Sequence, residues 1–291
     1  MSLPTDAQDP IVDSILHPSD FTEGSENAFA HALRAALVSR SVLILLHVET
    51  DKGETDWSEF PGVRDTLKRW GLIAPDADRT AVPALGIQVR KVVGHDPDPV
   101  HSILHFLERH PVDLIVLAPH QHAGAAHWLH RSVAEPVARK SGTMTLFVPQ
   151  GVPGFISLAT GAVSLPSVLI PVAATPDPRP AIRGAARLVQ RLKCGAGTFT
   201  LLHVGEPGSA PAVQLPEVPG WTWNRVTRPG DVIGTILGAA DEVSAGLIVM
   251  ATDGRNGFLD ALRGSHSERL VRQAKCPVLA IPQGASVERS L

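Results

Sequence analysis

The sequence is poor in cysteine, in long apolar runs and in excess charge of either sign. Two cysteines, Cys194 and Cys276, cannot form a disulfide framework, which favours a reducing compartment. No apolar run approaches the roughly 18 residues that a membrane-spanning helix needs, and the N-terminus lacks the basic and apolar regions of a secretory signal. A formal net charge of −3 argues against nucleic-acid binding, which usually needs a basic surface. We therefore expect a cytoplasmic protein without membrane or nucleic-acid partners.

Motifs of efficient catalysis are also missing. The sequence has no Ser/His/Asp arrangement, no paired carboxylates in a motif and no Walker-type lysine. Its 44% apolar content is nevertheless enough for hydrophobic cores, and a length of 291 residues predicts about two domains. We expect a folded, two-domain protein that is not an efficient enzyme.

Three sequence blocks recur in the same order in the two halves of the chain. The longest aligns without a gap, and 13 of its 39 positions are identical. The blocks are residues 14–20 with 167–173, the tetrapeptide LLHV at 45–48 and 201–204, and residues 113–151 with 246–284. The chain is therefore a tandem duplication of one fold.

The duplication predicts a first domain at 10–151, a linker hairpin at 152–165 and a second domain at 166–284. The halves differ in length after Glu49. From strand two to strand four, Val48 to Ala118 spans 70 positions and Val204 to Ala251 spans 47, a difference of 23 residues. We expect this insertion, which contains Trp57 and Trp70, to form a lid or an extra helix.

Short apolar runs alternate with helical patterns in both halves. Phe29, Leu33 and Leu37 share one helical face, and helices are also predicted at Pro99–Arg109 and Val232–Glu242. The predicted strands are Ile15–Leu16, Val42–Val48, Ile87–Val93, Leu114–Ala118 and Leu146–Pro149, then Val168–Ile170, Phe199–Val204, Trp221–Thr227, Leu247–Ala251 and Val278–Pro282. This alternation predicts an α/β fold with two tandem doubly wound, Rossmann-like parallel-sheet domains.

The loop after the fourth strand of the second half contains a glycine pattern. Gly254 follows the strand end at Ala251, and Gly264-Ser265 opens a helix. Glycines allow close backbone approach, and a helix N-terminus presents free N–H groups to an anion. The pattern fits a phosphate cradle; glycines that only form a turn and a serine that only caps the helix remain an equal alternative.

These features together resemble the tandem universal stress protein family. The signature of that family is Gly, two residues, Gly, nine residues, then Gly with Ser or Thr, and the second half departs from it only at Ala251. The segments HPSDFTEGSENA, LLHV and CPVLAIP are also similar to the family. The resemblance covers nearly the whole chain outside the insertion and the linker.

The resemblance implies an adenine-nucleotide site, with ATP as the type ligand and Mg²⁺ as an optional companion. In family members that bind ATP, an aspartate after strand one and a valine after strand two contact the adenosine end. The glycine loop holds the phosphates. The second-half candidates are Val204, Ala251, Gly254, Gly264, Ser265 and His266, with Ala173 in place of the aspartate. The first half reads Asp20, Val48, Ala118, Arg131 and Ser132, without the signature glycines. We therefore expect nucleotide in the second half.

The resemblance also implies an assembly. Single-domain relatives typically dimerise through the last strand, so the two halves are expected to pack as a pseudo-dimer, with Thr143–Val148 beside Val278–Pro282. A homodimer of the whole chain and an unidentified protein partner are further expectations. The implied function is regulation in a stress response, and the alternative is an interaction scaffold that binds no nucleotide.

Histidines are concentrated in the first half and leave a third function open. His101 and His105 lie one helical turn apart, so they share a face and are metal candidates for Zn²⁺. The other histidines near the degenerate loop are His120, His122, His127 and His130. A solvated polar face is favoured over a metal-binding module, because no cysteine and few carboxylates lie nearby.

Overall fold

A computed structural model describes most of the chain, namely residues 12–50, 57–58, 60–119, 133–252 and 266–283, with the backbone alone at 266–268. The first half contains β1 (Ser14–Pro18), α1 (Glu26–Ser39), β2 (Val42–Glu49), α2 (Val63–Arg69), α3 (Ala81–Ala84), β3 (Gln88–His95), α4 (Pro99–Arg109), β4 (Leu114–Leu117), α5 (Ala134–Ser141) and β5 (Met144–Phe147). The second half contains β6 (Ser167–Pro171), α6 (Arg179–Arg191), β7 (Gly197–Val204), β8 (Trp221–Arg228), α7 (Val232–Glu242), β9 (Leu247–Thr252), α8 (His266–Gln273) and β10 (Val278–Pro282). No helix in these ranges is long and apolar enough to cross a membrane.

The ten strands form one sheet in the order β3-β2-β1-β4-β5-β10-β9-β6-β7-β8. All pairs within a half are parallel, and the two halves meet at the antiparallel pair β5–β10. There Phe147 lies opposite Val278 and Thr145 opposite Ala280. The predicted fold class, including the pseudo-dimer with its last strands side by side, is confirmed.

The strand registers follow the sequence repeat. Ser14 pairs with Val42 in the first half, and their equivalents Ser167 and Thr198 pair in the second. The apolar runs behave as strands that are covered on both faces. Some strands extend beyond the apolar run, because backbone pairing continues into polar residues; β7, for example, begins at Gly197 rather than at Phe199.

Each face of the sheet carries its own hydrophobic core. Successive side chains of a strand point to opposite faces. Ile15 therefore joins the core under α1 and α6, and Leu16 joins the core under α4, α5, α7 and α8. Both cores contain residues of both halves. The duplicated halves therefore share their cores as well as their sheet.

Helices α4 and α7 start at equivalent caps. The Asp98 carboxylate accepts a hydrogen bond from Val100 N at 2.9 Å, and the Asp231 carboxylate accepts one from Gly234 N at 2.8 Å. Such caps satisfy N–H groups that the first helical turn leaves free. Both helices have the bounds that the sequence predicts.

The longer segment after β2 contains helices α2 and α3, so the expected extra helix is present. Trp70, at the end of α2, is buried against the linker. Its Nε1 donates to Leu158 O at 3.0 Å, and its ring lies over Gly161. The insertion therefore packs the first half against the segment that leads into the second.

The linker also contacts α1. Ile156 and Val163 form an antiparallel bridge, and Phe155 N donates to His31 Nε2 at 3.2 Å. His31 Nδ1 donates to Asn27 O at 2.7 Å, so the ring is neutral. The limits of the domains, at 10–151 and 166–284, stay predictions, and residues 10 and 284 lie outside the described residues.

Candidate functional site

The candidate residues lie where parallel strands end. In each half the strand order reverses between the first and fourth strands, β1 and β4 or β6 and β9. Open α/β sheets bind ligands in the crevice at this position. In the second half Ala173 follows β6 and is exposed, Val204 ends β7 and is half-buried, and Ala251 is buried in β9.

Backbone hydrogen bonds hold the strand ends in the same way in both halves. Gln150 N donates to Pro119 O at 3.1 Å, and the equivalent Gln283 N donates to Thr252 O at 2.7 Å. Each bond joins a residue just after the fourth strand, or its last residue, to the segment after the fifth strand. It lies at the start of the phosphate register, our name for the segment 118–132 in the first half and 251–265 in the second, which corresponds to the glycine loop of the family. Both loops therefore begin from a fixed point beside the first strand of their half.

The histidine of LLHV has a structural role that sequence reasoning missed. His47 Nδ1 donates to Ser19 O at 2.9 Å, and His203 Nδ1 donates to Val172 O at 3.0 Å. Each ring ties the second strand of its half to the loop after the first strand. The signal was present in the sequence, because the same histidine recurs in both copies of the repeat.

An aromatic cluster of Phe21, His47 and Phe60 lies beside Asp20, just past the carboxyl end of β1. The Phe21 ring stacks on His47 at 3.8 Å between centroids, and Phe60 from the insertion meets Phe21 edge-on at 4.9 Å. Asp20, beside this cluster, is exposed, and its Oδ1 accepts hydrogen bonds from Thr22 N and Thr22 Oγ1 at 3.1 and 2.7 Å. The carboxylate that the family uses for adenosine is thus held by its own loop.

The described residues of the second half form no such cluster after β6. Ala174 stands at the position of Phe21, and no insertion follows β7. The His203 Nε2 atom lies 2.8 Å from Ser209 Oγ instead. The second half therefore lacks the aromatic ring of Phe21 and the carboxylate of Asp20, because Ala174 and Ala173 replace them.

Several predicted site residues fall outside the described residues. These are Arg131 and Ser132 in the first half and Gly254, Gly264 and Ser265 in the second. His266 begins α8 by its backbone, and nothing is stated of its side chain. Asp20, Val48, Ala118, Val204 and Ala251 are described, and each lies at or just past the carboxyl end of its strand.

A buried histidine lies directly behind the first-half site. His17, in β1, is fully buried, and its Nδ1 donates to Val116 O at 3.0 Å. Among the residues that the structure describes, none is a hydrogen-bond partner of His17 Nε2. Burial lowers the pKa of His17 to about 4, so the ring is neutral at physiological pH.

His101 and His105 lie on one face of α4, as predicted. Their ring centroids are 6.1 Å apart, and His101 Nδ1 donates to Asp96 Oδ2 at 2.7 Å, which raises the pKa of His101. Within the described ranges, no group of three or more His, Cys, Asp or Glu side chains could hold a metal. The histidines at 120, 122, 127 and 130 lie outside those ranges, and a Zn²⁺ site on His101 and His105 stays a prediction.

The strand-end geometry and the repeat agree with one known family. The sequence model of the universal stress protein family matches residues 12–149 and 217–282, more than half of the chain. The chain belongs to this family. The stretch between the two matches contains β6, α6 and β7, where the universal stress protein fold is kept but the family aspartate is replaced by Ala173.

Two solved structures share the fold of the whole chain, and a third matches about half of it. A universal stress protein from Archaeoglobus fulgidus DSM 4304 has 19% identity and a TM-score of 0.63, covering 94% of this chain and 97% of its own. A functionally unknown protein from Pseudomonas aeruginosa PAO1 has 14% identity and a TM-score of 0.60, with 96% and 95% covered. A universal stress protein solved in complex with cAMP has 22% identity and a TM-score of 0.32, with 48% and 98% covered. The curated proteins give no significant match.

Proposed function

We propose that this universal stress protein is a cytoplasmic regulatory protein of the stress response that binds an adenine nucleotide in its second half without efficient hydrolysis. The nucleotide would change its interaction with a protein partner. A homodimer of the whole chain remains part of the proposal.

One observation carries the proposal. The register of Ala251, Gly254, Gly264 and Ser265 begins inside β9, and the end of β9 lies at the reversal of strand order beside β6. Backbone N–H groups of a glycine loop and the start of a helix bind phosphate oxygens. These contacts depend on backbone shape, which glycine makes possible. The missing aspartate at Ala173 removes only one or two hydrogen bonds.

The first half is the weaker candidate for two independent reasons. Its phosphate register contains no glycine, since Ala118, Gln121 and Arg131 occupy the three positions. The aromatic cluster also fixes the loop that carries Asp20. Both observations support a second-half site only.

The alternative is an interaction scaffold that binds no nucleotide. Ala173 favours it, because the second half lacks the side chain that family members use for the adenosine end. Under this alternative the two halves would provide only a rigid surface for a protein partner.

Calorimetric titration of the full chain with ATP, ADP and cAMP tests the proposal. Wild type should bind at least one of them, and Gly264→Val should abolish binding, because a side chain blocks approach of the backbone to phosphate. Arg131 occupies the position of the first half that aligns with Gly264, and the Arg131→Ala variant should bind nucleotide as wild type does. Binding that depends on Arg131 would reject the second-half site, and no binding by wild type would support the scaffold.

Hydrolysis is measured in the same samples. The loop offers N–H donors and the Ser265 hydroxyl, which suit holding phosphates, but no motif marks a residue that positions water. Binding substrate and transition state equally gives no rate enhancement. We expect turnover well below the roughly 1–100 s⁻¹ of typical phosphoryl-transfer enzymes. Turnover in that range, lost in Ser265→Ala, would make the protein an ATPase.

A further inference from the structure

A small apolar cavity lies between the two halves. None of the lining residues that the structure describes belongs to the glycine loop or to the equivalent loop of the first half. Its volume is about 80 Å³. It is covered by α1, α6 and the linker, and its floor is the junction of β5 and β10, where Leu146 and its equivalent Leu279 both line it. Phe155 of the linker and Ile281 of β10 complete the apolar wall.

Three arginines also line this cavity: Arg34 of α1, and Arg187 and Arg191 of α6. All three are half-buried, and their aliphatic stems extend the apolar wall. None of the described residues that line the cavity is acidic. The cavity therefore combines an apolar interior with a cationic rim.

Arg34 supplies the group on which the inference rests. Its Nε atom is buried and has no hydrogen-bond partner, although buried N–H groups are normally paired. Arg187 and Arg191 have further interactions of their own and are not needed as free cations. An anion beside Arg34 would accept a hydrogen bond from its Nε, which has no acceptor among the described residues.

The repeat makes this arrangement symmetric. Arg34 lies 20 residues after Ser14, and Arg187 lies 20 residues after Ser167, so the two arginines are equivalent. Ala35 and Leu188, the next residues, are equivalent too, and both line the cavity. The side chain of Ala35 has three carbon atoms fewer than that of Leu188, and this difference leaves room in the cavity.

We propose that this cavity binds a short-chain carboxylate, with the alkyl group between the halves and the carboxylate at the rim beside Arg34. An engineered protein cavity of roughly 150 Å³ binds benzene, so a cavity of about 80 Å³ accepts on the order of three carbon atoms. The alkyl group of butyrate has three carbon atoms and therefore fits. The site is independent of the nucleotide site, since it shares none of its residues.

An NMR titration of the full chain with butyrate tests the proposal, with 1-butanol as the neutral probe of equal carbon number. Butyrate should shift the amide signals of cavity-lining residues and saturate. Its affinity should exceed that of propionate by about fourfold, the effect of one buried CH₂ group. Pentanoate should gain less, because the cavity is full.

Three variants distinguish the effect of the Arg34 charge from the effect of the cavity volume. Arg34→Gln should weaken butyrate binding by about ten- to a hundredfold, the effect of losing one hydrogen bond between charged groups, and should leave butanol binding unchanged. Arg183→Gln removes an exposed arginine of α6 that does not line the cavity, and both probes should bind as before. Ala35→Leu introduces the residue of the equivalent position and should abolish binding of both probes while thermal unfolding shows an intact fold.

Several results would overturn the proposal. Equal affinity for butanol and butyrate, or no effect of Arg34→Gln, would mean that the cavity is only an apolar void. Undiminished binding in Ala35→Leu would place the carboxylate elsewhere. A titration without saturable shifts would show that no such ligand binds.

Discussion

Two buried histidines make the stability of the protein depend on pH. Burial lowers the pKa of His17 and His31 from 6.5 to about 4. The unfolded chain therefore binds protons that the folded chain excludes, and the free energy of unfolding falls as the pH drops from 6.5 towards 4. We expect each histidine to cost about 2 kcal/mol at pH 5 relative to pH 7.5, measured by urea unfolding.

The pH effect has a natural control in the repeat. The second half has Ile170 at the position of His17, so His17→Ile should remove the contribution of that ring and flatten the pH dependence. His110→Gln replaces an exposed histidine and should leave the dependence as it is in wild type. An unchanged pH dependence in His17→Ile would contradict the assignment.

The missing aspartate of the second half can be restored. Ala173→Asp should strengthen adenine-nucleotide affinity about tenfold, because it returns one or two hydrogen bonds at the adenosine end. The reciprocal variant, Asp20→Ala, should leave the affinity unchanged. Calorimetry on both variants distinguishes the halves: loss of binding in Asp20→Ala would place the nucleotide in the first half.

At the scale of elements, the contact between α2 and the linker depends on one glycine. Gly161 has a φ of +68°, and a Cβ there would lie 2.4 Å from Trp70 Cδ2. Gly161→Ala should therefore lower the free energy of unfolding by about 1 kcal/mol for the backbone and a further 1–3 kcal/mol for displacement of Trp70. Urea unfolding followed by tryptophan fluorescence measures the total.

Gly71 is the matched control for this prediction. It has the same φ of +68°, but a Cβ there would meet no atom within 4 Å. Gly71→Ala should cost only the backbone contribution. Equal losses in the two variants would show that Trp70 does not hold the linker.

The elements also show where sequence reasoning succeeds. Runs such as Leu43–Leu46 and Leu247–Val249 are apolar at every position, and this pattern is typical of strands that are covered on both faces. The positions of α4 and α7 were predicted from the helical patterns that alternate with the apolar runs, and the structure adds the aspartate cap of each helix. The packing of Trp70 on Gly161 did not follow, because it joins residues that are distant in sequence and belong to no repeated motif.

At the scale of the whole molecule, the halves should unfold together. Both cores contain residues of both halves, and Arg272 Nε of α8 donates to the buried carboxylate of Glu135 in α5 at 3.2 Å. Leu33→Ala in the first half and Ile182→Ala in the second should each cost about 2–5 kcal/mol. Hydrogen exchange read by mass spectrometry should show the loss equally in β1–β3 and in β6–β8.

Independent halves would give a different result. If Leu33→Ala lowered protection in β1–β3 and left β6–β8 at the wild-type level, the shared cores would not couple the halves. A single transition in urea for wild type, seen alike by circular dichroism and fluorescence, is the accompanying expectation.

The sequence by itself determined the duplication, the fold of each half and the family, because repeats, apolar periodicity and glycine spacing are local properties of the chain. The tertiary structure decided what distant residues do when they meet. It brought Phe60 of the insertion to Phe21 and His47, and it enclosed a cavity beside Arg34 at the junction of the halves. Such contacts depend on how side chains fill the space between elements, and no local pattern records that volume.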